Sequence, residues 1–144
     1  MSGADSKALT DALSAEYAAV FAYGVIAAYA NPDRERLVAE YTAAHRARRD
    51  STIDALKGLG GTVPAPAAAY TSPVPVDDPI PAAKLAVVVE TDTATAWRAA
   101  AEAASAPEVR RTAVEALTEC ALRLATWQSI LGVNPATTAF PGQP

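Results

Sequence analysis

The 144-residue sequence is poor in the residues from which most protein chemistry is built: it has one cysteine, Cys120, and one histidine, His45. A single cysteine excludes an internal disulfide and any Cys-rich metal site. A single histidine excludes every metal centre that needs two within one subunit. Aromatic residues make up only 6%, which argues against a base-stacking platform. The net charge is −4 and the cations form no basic run, so nucleic acid is not expected as a partner. No apolar stretch of membrane-spanning length is free of charge, so no membrane is expected either. The opening Met1-Ser-Gly-Ala-Asp lacks the basic residues and apolar run of a signal peptide. A cytoplasmic location is the expectation.

What is abundant is apolar surface, and much of the 51% hydrophobic fraction is alanine. Alanine favours helices and lets them pack closely. The length suits a single domain over 1–144. Periodicity predicts helices over about 5–30, 33–58, 80–105 and 107–131, a crossover over 59–79 and a tail over 132–144. In the first helix Asp5 or Ser6 can cap the first turn, and Leu9, Leu13, Glu16, Val20, Tyr23 and Ala27 form one stripe. Asn31-Pro32-Asp33 combines an N-cap, a first-turn proline and an acidic residue, so the second helix starts at once and forms an antiparallel hairpin with the first. The second helix buries Leu37, Val38, Tyr41, Thr52, Leu56 and Leu59, with His45 in mid-stripe and Arg48 and Arg49 on its flanks. Gly58, Gly60 and Gly61 end it.

Residues 62–81 carry six prolines, from Pro64 to Pro81. That density forbids a continuous helix and favours extended chain. A linker between two domains would leave each half a bare hairpin, so the segment reads as a crossover along one bundle, anchored by Tyr70, Val74 and Val76. Asp78-Pro79 opens the third helix, which gathers Leu85, Ala86, Val89, Ala96, Trp97 and Ala100 on one side, with Glu90 near that side. Ser105-Ala106-Pro107-Glu108 makes a second tight turn. The fourth helix buries Val109, Ala113, Leu117, Cys120, Leu124, Trp127 and Leu131, with Glu115 and Glu119 pointing away. The tail is expected to be loosely attached or wrapped on the surface. Two short connections and one long one define an all-α antiparallel four-helix bundle of the ferritin-like type.

Glu16 stands on an apolar stripe, where a carboxylate is costly unless paired or ligated. A ferritin-like di-iron or di-manganese centre needs one Glu from each of two helices and Glu-x-x-His from each of the others. Glu16, His45 and Glu90 match that demand. Helix two reads Thr42-Ala-Ala-His where a glutamate is needed, and helix four offers no ligand pair. Three readings follow. Glu16 can be neutralised by Arg48 or Arg49, with His45 and Tyr23 completing a buried network. Alternatively, Glu16, His45 and Glu90 can form a reduced mononuclear iron or manganese site for a metal-dependent oxidoreductase. A polar cavity for a small anion or other ligand is the third. The first is preferred, because buried charges are usually paired.

The chain resembles a ferritin-like domain family of unassigned function found mainly in high-GC Gram-positive bacteria. The resemblance rests on Ala-Glu-Tyr-Ala-Ala-Val-Phe-Ala-Tyr-Gly at 15–24, Ala-His-Arg-Ala-Arg-Arg-Asp at 44–50, the proline-rich crossover, and Thr-Ala-Thr-Ala-Trp-Arg at 93–98. It implies the ferritin-like fold and carries no activity with it. The expected protein is therefore a bundle with a degenerate di-metal site and no cofactor. It would act in assembly or in binding a partner or ligand rather than in catalysis. A homodimer is the expected assembly.

Overall fold

The computed structural model describes residues 3–144. Met1 and Ser2, part of the opening read above for a targeting signal, lie outside the described residues. The chain forms α1 (Gly3–Tyr29), a 3₁₀ turn (Pro32–Arg34), α2 (Glu35–Gly58), α3 (Pro79–Ala103) and α4 (Pro107–Ile130), with no strand among the described residues. The result is an all-α four-helix bundle of ferritin-like type, with its long connection between α2 and α3. α1 packs against α2 and α3, and α3 against α4. Long side chains span the remaining seam, between α2 and α4. There the Tyr41 and Trp127 rings meet edge to face at 6.2 Å, and Arg48 reaches Glu119 at 2.9 Å.

Local chemistry sets the helix ends. Asn31 accepts a hydrogen bond from the Asp33 amide at 2.9 Å, which closes the turn between α1 and α2. Pro32 suits the first turn of a helix, so the chain winds as 3₁₀ from residue 32 and becomes α-helical at Glu35. At the end of α2, Gly60 takes φ +70° and the Gly61 amide donates to the Leu56 carbonyl. That left-handed step needs a glycine. Asp78 makes no side-chain cap; its backbone carbonyl accepts from the Ala82 amide instead.

Asp5 does not cap α1 as expected, because α1 starts at Gly3 and Asp5 lies inside its first turn. Its buried carboxylate accepts from the Ser105 and Ala106 amides at 2.7 and 3.3 Å. The N-cap of α4 is Ala106, which has no acceptor of its own, so α1 supplies one across the bundle. The contact also fixes α1 antiparallel to α3.

Small shifts of register separate the observed stripes from the expected ones. On α1 the buried residues after Asp5 are Ala8, Leu9, Ala12, Leu13, Glu16, Ala19, Tyr23 and Ile26, while Val20 is half-buried and Ala27 exposed. α1 meets neighbours on several sides, so its alanines blur any single apolar face. By length and composition α1 is apolar enough to cross a membrane; here its buried stripe faces α2 and α3. On α3 Ala96 is only half-buried, and on α4 Leu117 and Leu131 are too.

The crossover is pinned to α1. Tyr17 donates to the Pro64 carbonyl at 2.8 Å, and the Phe21 and Tyr70 rings lie 5.3 Å apart. Val74 and Val76 pack onto the apolar cluster around Tyr23 and Trp127. The tail wraps onto α3, where Arg98 donates to the Pro141 carbonyl. Gly142 takes φ +77°, and a Cβ there would stand 2.5 Å from the Ala94 carbonyl oxygen, so only glycine fits.

Two apolar clusters fill the interior. One gathers around Leu9, Leu13, Leu56, Trp97 and Ala113; the other around Tyr23, Ile26, Val38, Leu85 and Trp127. A layer of charged side chains lies between them.

Candidate functional site

Each helix delivers one charged residue to the middle of the bundle: Glu16 from α1, His45 from α2, Glu90 from α3 and Arg123 from α4. Glu16, His45 and Glu90 are fully buried, and Arg123 is nearly so. Their placement follows from helical periodicity. Leu9, Ala12, Glu16, Ala19, Tyr23 and Ile26 alternate steps of three and four, which is the spacing of a core-facing seam. Ala86, Glu90, Thr93, Trp97 and Ala100 do the same on α3, as do Val109, Ala113, Ala116, Cys120, Arg123 and Trp127 on α4.

The imidazole of His45 lies between the two carboxylates. Nδ1 stands 2.6 Å from Glu16 Oε2, and Nε2 stands 2.9 Å from Glu90 Oε2. Burial opposes a charge on the ring, but the hydrogen bonds and negative charges of Glu16 and Glu90 outweigh it and raise its pKa to about 9. At neutral pH His45 is therefore an imidazolium, and both ring nitrogens donate. Glu16 Oε1 accepts from the Trp97 indole at 2.9 Å, and Glu90 Oε1 from Arg123 Nε at 2.9 Å. Burial pushes the Glu90 carboxyl up; His45, Arg123 and Tyr23 together pull it below its ordinary value. Two carboxylates thus face two cations, and the layer is electrically neutral.

Aromatic groups complete the shell. Tyr23 donates to Glu90 Oε2 at 2.5 Å and accepts from the Trp127 indole at 3.0 Å. Burial and the adjacent Glu90 charge hold the Tyr23 hydroxyl well above its ordinary pKa, so it stays a donor. Tyr41 closes the cluster on the α2–α4 side, with the Arg123 guanidinium 6.0 Å from its ring centre. Arg123 also reaches Cys120 Sγ at 3.4 Å, and burial pushes that thiol up to about 12. Such a thiol is inert at neutral pH. Among the described residues, every buried side-chain nitrogen and oxygen has a partner.

The structure brings Glu16, Tyr23, His45 and Glu90 together. Arg48 and Arg49, read from sequence as partners for Glu16, lie outside the cluster. Arg48 bonds Glu119, and Arg49 bonds its neighbour Asp50. Both leave the helix on the flanks of the His45 stripe, so their heads reach the surface. Tyr23 serves Glu90 rather than Glu16, and Glu90 is fully buried. Arg123 is the cluster residue that sequence reasoning missed. Its signal was the spacing on α4, where it stands three residues after Cys120 and four before Trp127. Leu124 satisfied the same stripe and masked it.

A metal centre asks for different chemistry. A ligating imidazole must offer an unprotonated nitrogen, and both nitrogens of His45 are committed to carboxylates on opposite sides of the ring. Glu16 and Glu90 have their remaining oxygens occupied by Trp97 and Arg123. Among the described residues, no group of three or more His, Cys, Asp or Glu side chains is arranged to hold a metal ion. The arrangement does not fit a ferritin-like metal centre.

The family model for the Domain of unknown function (DUF4439) matches residues 8–144, and the chain belongs to that family, here a ferritin-like four-helix bundle. The chain is also similar to a conserved hypothetical protein, rv2844, from Mycobacterium tuberculosis. The two are 42% identical, the likeness covers 90% of this chain and 99% of that one, and the TM-score is 0.86. No curated protein matches the chain.

Proposed function

We propose that the protein is a metal-free ferritin-like scaffold that works by assembly or by binding a partner or ligand, not by redox catalysis at its core. The observation that carries this reading is the double engagement of His45. The one histidine of the chain holds Glu16 with one nitrogen and Glu90 with the other, and Arg123 supplies the second positive charge that a cation would bring. The metal site of this bundle type is in this reading degenerate, filled by ion pairs from all four helices. Self-association into a homodimer belongs to the same reading. Val114 and Leu122 on the outer side of α4, 48% and 66% exposed, are the apolar surface that supports it.

The test is elemental analysis of untagged protein purified without chelator, before and after incubation with ferrous iron and with manganese. The expected result is far less than one metal per chain in every sample. A stoichiometric ion that disappears in His45→Ala would overturn the reading and favour a mononuclear site built from Glu16, His45 and Glu90. Light scattering reads the assembly, with twice the chain mass expected.

A further inference from the structure

Away from the charged layer, a cavity of about 290 Å³ opens between α1 and α3 beneath the proline-rich crossover. Ala15, Ala18 and Ala22 form its α1 side, and Val88 and Val89 its α3 side. Tyr70 of the crossover forms the roof and is held in place by its ring contact with Phe21. The crossover spans the cavity through the contact between Tyr70 and Phe21, and both rings line the space. The lining is mostly apolar; Tyr70, Thr71 and Ser72 of the crossover and Thr93 of α3 add neutral polar groups, and Asp92 of α3 supplies its one charged group, at the rim. Asp92 is exposed there and has no ion-pair or hydrogen-bond partner among the described residues, and the desolvation it does feel raises its carboxyl above the ordinary value. The buried carboxylates among the described residues are all answered, Asp5 by amides and Glu16 and Glu90 by cations, whereas Asp92 is open to a partner from solution.

We infer that this cavity is a binding site for a small amphipathic amine, whose apolar body fills the space under Tyr70 and whose ammonium group meets Asp92. The volume lies at the lower end of ligand pockets, so the ligand is small. A mostly apolar pocket with a single charged group at its mouth fixes the orientation of a guest without demanding much of its shape. The inference does not depend on whether the charged layer is metal-free, because no residue of that layer lines the cavity.

The probes are n-hexylamine, 1-hexanol and hexanoate, which share one apolar body and differ in the charge of the head. Binding is read on the full chain from the methyl NMR signals of Ala18 and Ala22. The amine is expected to bind about fivefold more tightly than the alcohol, as a partly exposed ion pair allows, and hexanoate more weakly than either. Asp92→Asn is expected to bring amine and alcohol to equal affinity while leaving alcohol binding unchanged. Ala22→Leu, which places a side chain in the space, is expected to abolish all three. No response of these methyls to hexylamine would overturn the inference. So would equal affinity for the three probes, or an amine preference that survives Asp92→Asn.

Discussion

Arg123 and Arg48 carry the same guanidinium and do different work. Arg123 neutralises Glu90 inside the bundle, whereas Arg48 meets a half-exposed Glu119 across the α2–α4 seam. Removing one partner of a buried pair strands the other, at about 3–5 kcal/mol. Exposed pairs contribute about 0–1 kcal/mol. Guanidinium melts are therefore expected to show a large loss for Arg123→Met and a small one for Arg48→Met and Arg49→Met. Similar losses in all three would refute the assignment of Arg123 to the core. Glu16 and His45 were legible in the sequence because a lone polar residue at the centre of an apolar stripe has to be answered. Arg123 obeys the same logic, but the neighbouring Leu124 offered an apolar residue for the same turn. Arg48 and Arg49 looked close to Glu16 because three or four residues on a helix place them near His45. A rotation of tens of degrees separates a side chain that points inward from one that reaches water.

At the scale of helices, the sequence carried the pattern of hairpin, crossover and hairpin because prolines, caps and glycines act locally. Asn31 and Pro32 close one turn, Gly60 and Gly61 another, with no help from the rest of the chain. Asp5 could not be placed this way, because its amide partners lie about a hundred residues away and depend on α1 running antiparallel to α3. Asp5→Ala would leave the Ser105 and Ala106 amides without their acceptor. A cost of about 1–3 kcal/mol is expected, with faster hydrogen exchange at the start of α4. Unchanged exchange there would mean that the α3–α4 turn does not rely on α1. The docking of the tail through Gly142 was equally invisible. Its cause is a close approach to the Ala94 carbonyl that no local pattern announces.

The whole molecule is three layers, apolar, charged and apolar, and the charged layer ties its stability to pH. His45 titrates near 6.5 when unfolded and near 9 when folded. Its stabilisation is complete below about 6.5 and is lost as pH rises through 9. Glu90 is held below its ordinary 4.5, so its contribution is complete above 4.5 and is lost as pH falls through the lower folded value. The stability curve is therefore expected to peak between about 4.5 and 6.5 and to decline towards pH 9. His45→Asn should flatten the alkaline decline. A wild-type curve that is level from pH 6 to 9 would show that the layer does not bear on folding.

The most direct test of the central idea, that a charged His45 clamped between Glu16 and Glu90 replaces a metal centre, is the nitrogen NMR spectrum of the single imidazole. At pH 7.5 both ring nitrogens are expected to be protonated, with a titration midpoint near 9. One unprotonated ring nitrogen at that pH would contradict the account, because it would leave a lone pair in the core for a metal to take.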